Sequence, residues 1–146
     1  MEAEAADPKV DGSVRVVVWG TPIPQGSMKA FMPRGGRFPI VTADNKKTKP
    51  WRQAIIDACL EMHFTMTEQP VRLDIQFHLP RPKSLKKSVL RPAKKPDLDK
   101  LVRAVCDALT AAGVWRDDSQ VVALSAIKRF AGEGFAPCAH ITVDPL

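Results

Sequence analysis

Apolar and polar residues alternate without a break from Val71 to Leu79, with Val71, Leu73, Ile75, Phe77 and Leu79 on one side and Arg72, Asp74, Gln76 and His78 on the other. A period of two predicts a strand with one buried face. The period then changes: Leu98, Leu101, Val102, Val105, Leu109 and Ala112 recur at helical spacing, and Gly113 is a fitting stop for that helix. Trp51, Ala54, Ile55, Ala58, Cys59 and Met62 form a second helical stripe, with Pro50 suited to its first turn. The β-branched run Val14 to Trp19 predicts a strand that ends at Gly20, and Val121 to Lys128 and Ala139 to Val143 predict two more.

These elements describe one α+β domain: three to five strands in a single mixed or antiparallel sheet, packed with two main helices. A chain of 146 residues is long enough for one real core and short for a second domain. Residues 1–13 are expected to be a disordered acidic tail and residues 14–146 the domain. The interval from Gly20 to Pro50 has no sustained period and is rich in Pro, Gly and bases, which predicts a basic loop or short hairpin.

Charge sharpens the picture. The net charge is +6, but residues 1–13 hold four acids against one base, so the remainder carries +9. Such a surplus favours a polyanionic partner, nucleic acid above all. Lys29, Arg34, Arg37, Lys46 and Lys47 lie in the first basic interval. Arg81, Lys83, Lys86, Lys87, Lys94 and Lys95, with Arg91, lie in a second that contains no acid, and Lys100 follows. A connection of that length is uncommon unless functional or mobile, and its position before an acidic motif favours a DNA-contacting arm over a solvated connector.

The N-terminus lacks a cationic start and an apolar core, so neither a signal peptide nor a membrane anchor is expected, and the protein is expected to be cytoplasmic. Cys59, Cys106 and Cys138 are odd in number and widely spaced. They are expected to be buried hydrophobes rather than zinc ligands or disulfides. His63, His78 and His140 form no paired metal-binding spacing.

The chemistry gathers in one segment. Lys95-Pro96-Asp97-Leu98-Asp99 opens the second helix, Asp107 lies within it, and Trp115-Arg116-Asp117-Asp118-Ser119-Gln120 follows. Each acid has an ordinary structural use: Asp97 and Asp99 as helix cap and dipole partner, Asp107 as an exposed or salt-bridged residue, Asp117 and Asp118 as a turn. Together, in a cationic chain, they suit a hard divalent ion that also binds phosphate oxygens. Arg103 stands four residues after Asp99 and four before Asp107, within helical reach of both.

In its ordered set of motifs, the stretch from Lys95 to Asp99, then Asp107-Ala108-Leu109, then Gly113 to Val122, resembles the RusA family of Holliday-junction resolvases. The close match covers residues 94–130. The resemblance implies a small homodimeric α+β endonuclease that resolves four-way DNA junctions by paired symmetric nicks, in recombination and repair. It implies Mg²⁺ as cofactor, with Mn²⁺ able to substitute. It assigns Asp97, Asp99 and Asp118 to the catalytic metal site and gives Asp107 and Asp117 supporting places. Two positions depart from the family pattern: Lys100 where Asn is usual, and Arg103 where a catalytically important Lys is usual. Arginine keeps the charge but does not readily transfer a proton, so Arg103 is expected to act electrostatically. The rival reading is a non-catalytic basic nucleic-acid-binding protein whose carboxylates only cap and pair.

Overall fold

The computed structural model describes residues 12–26, 28–43 and 46–146. The side chains of residues 28–31 and 40–43, Lys29 among them, lie outside that description, as do residues 1–11 of the expected tail. Ser13, at the end of that expected tail, is buried and donates a hydrogen bond to Asp144 Oδ1 at 2.7 Å.

The strands are β1 (Val14–Trp19), β2 (Met28–Phe31), β3 (Ile40–Ala43), β4 (Val71–Leu79), β5 (Val121–Phe130) and β6 (Cys138–Pro145). The helices are α1 (Thr48–Leu60) and α2 (Leu98–Ala112), and a 3₁₀ turn covers Asp118–Gln120. Four strands form one mixed sheet in the order β1-β6-β4-β5, while β2 and β3 pair separately. The first basic interval therefore contains the hairpin, with Phe31 opposite Ile40.

Within the main sheet β6 runs antiparallel to β1 and β4, and β5 runs parallel to β4. Parallel neighbours need a crossover, which is supplied by the second basic interval and α2. The alternation along β4 is realised as expected: Val71, Leu73 and Phe77 are fully buried and Ile75 is nearly so. They meet Leu101, Val105 and Leu109 of α2 and Trp51, Ile55 and Cys59 of α1 in one core. Gly113 ends α2 at φ +79°, a left-handed conformation that a side chain would strain.

Burial is uneven across the sheet. Leu73 and Ile141, on the two central strands, are inaccessible, whereas Leu124 of β5 is 54% exposed. The helices thus cover the other strands and leave an open trough beside β5.

Candidate active site

That trough has α2 as one wall and β5 as the other. Leu98, Asp99, Val102, Arg103, Cys106, Asp118, Leu124 and Ala126 line an open cavity of about 650 Å³. Asp99 and Arg103 reach it from successive turns of α2, and Asp118 arrives from the 3₁₀ turn that leads into β5. Three of the expected site residues are therefore brought together. The thiol of Cys106 reports the same convergence: burial, reinforced by the carboxylates of Asp118 and Asp107, pushes it up to about 11.

Asp97 stands at the edge of this arrangement. It lines a neighbouring depression with Thr21 to Gly26, Lys95, Pro96 and Lys100, and pairs with Lys100 at 3.9 Å. It has the extended backbone of a helix cap, yet its side chain accepts no capping hydrogen bond. The capping hydrogen bond expected of that carboxylate is thus missing. Among the described residues Asp97, Asp99 and Asp118 do not form a close-set group of ligand atoms.

The approach to Asp97 is fixed by a residue that the motif did not include. Lys128 of β5 donates from Nζ to the carbonyl oxygens of Lys94 at 2.7 Å and Pro96 at 2.8 Å. On the other side, the Gln25 N–H donates to the Lys100 carbonyl at 2.9 Å, which attaches the loop after β1 to α2. Both contacts join positions remote in sequence, so no local spacing announces them.

The second acidic pair divides its labour. Ser119 hydrogen-bonds Asp117 through its side chain and through its N–H, the latter at 2.9 Å; both hold the Asp117 carboxyl below the usual range, and Asp117 caps the 3₁₀ turn. Gln120 accepts from the N–H groups of Arg116 and Asp117 and donates to the carbonyls of Thr67 and Gln69. Trp115 is fully buried beneath this turn and donates to Thr110 Oγ1 at 2.7 Å. Asp117 is therefore occupied with the backbone, while Asp118 stays exposed at the cavity.

Asp107 has a different partner from the one its spacing offered. It pairs with Arg52 of α1 at 3.7 Å, whereas Arg103 is in no ion pair among the described residues. An exposed guanidinium facing a carboxylate-lined trough has hydrogen-bonding capacity left for a phosphate.

The second basic interval is a folded arm. Arg81 donates to the Lys86 and Val89 carbonyls, both at 2.7 Å, and lies 5.0 Å from the centre of the Phe130 ring. Arg81 is thus used to hold the arm together, while Lys83, Lys86, Lys87, Lys94 and Lys95 are exposed. Arg34, Arg37, Lys46 and Lys47 are exposed as well, and Lys100 is half-buried.

The family model for Endodeoxyribonuclease RusA matches residues 20–143. The chain belongs to the RusA endodeoxyribonuclease family. A match of that extent takes in the hairpin, both helices and all of β4 and β5, so the RusA assignment rests on the whole fold as well as the acidic motifs. The relatives agree. The chain is 32% identical over 131 residues to Uncharacterized protein YqaN of Bacillus subtilis (strain 168), across 82% of this chain and 89% of the relative. It is 30% identical over 107 residues to the Crossover junction endodeoxyribonuclease RusA of Shigella sonnei (strain Ss046), across 73% of this chain and 78% of that protein. With the rusA protein of Enterobacteria phage 82 it shares 39% identity over 59 residues, 40% of each chain.

Proposed function

We propose that this RusA-family endonuclease cuts four-way DNA junctions by paired symmetric nicks, in recombination and repair, with Mg²⁺ as cofactor and Mn²⁺ able to replace it. The observation that carries the reading is the convergence of Asp99, Arg103 and Asp118 on one open trough in a member of this family. The donor set fits a hard cation. Asp99 and Asp118 offer carboxylate oxygens from opposite walls, and Asp97, released from capping, offers a third at the rim. When bound, the ion lowers the pKa of a water and polarises the scissile phosphate.

The chain's own residues do the rest. Arg103 meets charge that develops on the phosphate, and its fixed guanidinium acts by electrostatics. Lys128 holds the turn that presents Asp97. Exposed Lys83, Lys86, Lys87, Lys94 and Lys95 of the arm, with Lys100 and the bases around the hairpin (Lys29, Arg34, Arg37, Lys46 and Lys47), supply phosphate contacts and salt-dependent affinity. A four-way junction presents two strands related by approximate two-fold symmetry. A homodimer then supplies one trough per strand. Among the described residues no helix is long and apolar enough to cross a membrane.

Asp97→Asn, Asp99→Asn and Asp118→Asn test the reading. Each removes a charge that repels DNA, so each is expected to abolish nicking while junction affinity in metal-free buffer stays equal or rises. Wild-type nicking by Asp99→Asn and Asp118→Asn would remove the carboxylate site, and nicking by a species that light scattering shows to be monomeric on the junction would remove the dimer.

A further inference from the structure

The opposite face of the sheet holds a second group of donors. Phe77 and Leu79 turn into the core, so His78 between them turns to the face away from the helices. On β6, Ala139 and Ile141 are buried in the core, and Cys138 and His140 alternate with them. The register sets His78 directly opposite Cys138 and Gln76 opposite His140. Ligand atoms of His78, Cys138 and His140 consequently lie within 4.8 Å of one another. The two imidazole rings are tilted at 58° with centres 5.0 Å apart.

Sequence spacing argued against such a cluster, because His78 comes from a strand 60 positions away from Cys138. Strand pairing, not proximity along the chain, creates it. A second observation points to a ligand: His78 Nε2 is buried and, among the described residues, has no hydrogen-bond partner. A buried, unpaired ring nitrogen costs free energy, and a bond to a metal satisfies it.

We propose that His78, Cys138 and His140 form a three-ligand site for a borderline-soft divalent cation of the zinc class, on the face of the sheet opposite the carboxylate trough. Two imidazole nitrogens and a thiolate suit Zn²⁺ and are poor ligands for Mg²⁺, which takes oxygen. Zinc bonds of ~2.0–2.3 Å in a tetrahedron set donors roughly 3.3–3.8 Å apart, so closure by about an ångström completes the site. Cys138 enters as the thiolate and releases its proton to solvent on binding. The fourth position is open to water, and the metal ties β4 to β6.

Cobalt is the probe, because a thiolate bound to Co²⁺ gives a charge-transfer absorption that carboxylates do not. The metal-stripped full chain, kept reduced with a phosphine, is expected to develop that absorption at one equivalent of Co²⁺, to lose it on adding Zn²⁺, and to be indifferent to Mg²⁺. Zinc at saturation is expected to raise Tm by about 5 °C or more. Cys138→Ser is expected to abolish the absorption. His140→Ala, at an exposed position that leaves the core intact, is expected to weaken Zn²⁺ at least ~10-fold. Asp99→Asn is expected to keep the absorption, which separates this site from the trough. Absence of the charge-transfer absorption in the wild type, or equal Zn²⁺ affinity in wild type and His140→Ala, overturns the proposal.

Discussion

Replacing Lys128 by methionine keeps the apolar stem and removes only the ammonium that donates to Lys94 and Pro96, at 2.7 and 2.8 Å. A hydrogen bond to a charged group contributes about 1.5–3 kcal/mol. Water takes over part of that role at a site only partly buried, so the two together are expected to cost about 1.5–3 kcal/mol in a urea melt. The functional loss is expected to be larger in proportion. The carbonyls that Lys128 holds belong to the turn that presents Asp97, and a displacement of about 1 Å in a reacting geometry costs on the order of 10²-fold. Single-turnover nicking of junction DNA at saturating Mg²⁺, measured beside the urea midpoint, checks both. A wild-type nicking rate refutes the positioning role. A large loss of nicking with an unchanged urea midpoint shows instead that Lys128 acts on the DNA.

At Arg103, Arg103→Lys is expected to retain substantial cleavage and Arg103→Ala to lose roughly 10²-fold or more, the scale of one electrostatic transition-state contact. A Lys variant that exceeds wild type with a new pH dependence would point to proton transfer at this position. Asp117 gives a pH prediction: its folded carboxyl titrates below the unfolded one, so its contribution is present above the ordinary carboxylate range and is lost as pH falls through the folded value. Acid titration of stability is therefore expected to be shallower in Asp117→Asn than in wild type, and identical acid profiles count against the cap. Trp115→Phe gives up the bond to Thr110 in a fully buried setting and is expected to cost about 1–3 kcal/mol by thermal or urea melting.

What could be foreseen here was what a single element encodes. The alternation along β4 and the stripe along α2 are enforced by one buried face each, so their ends fall where the pattern ends, at Leu79 and Gly113. Asp97, Asp99 and Asp118 were expected together through the ordered motifs; the trough unites Asp99 and Asp118 once β5 returns beside α2, and Asp97 lines the neighbouring depression. Interactions between elements were hidden. Spacing offered Arg103 to Asp107, but Arg52 arrives from α1 and takes it. Arg81 counted among the bases for DNA, yet its guanidinium fork matches two carbonyls of its own arm. Asp117 and Asp118 look equivalent in the sequence, and only the backbone of the 3₁₀ turn decides which carboxylate is consumed.

The strand order places β5 at the margin of the main sheet, with β4 on one side and, among the described residues, no strand paired to the other. Ten residues of edge span about 33 Å, a template on which another extended chain can hydrogen-bond. One wall of the trough is therefore also an open sheet edge on which another copy can pair. At high concentration, edge-to-edge association is expected to lower activity while circular dichroism still reports a folded chain. Purification conditions are accordingly better screened by specific activity than by spectra.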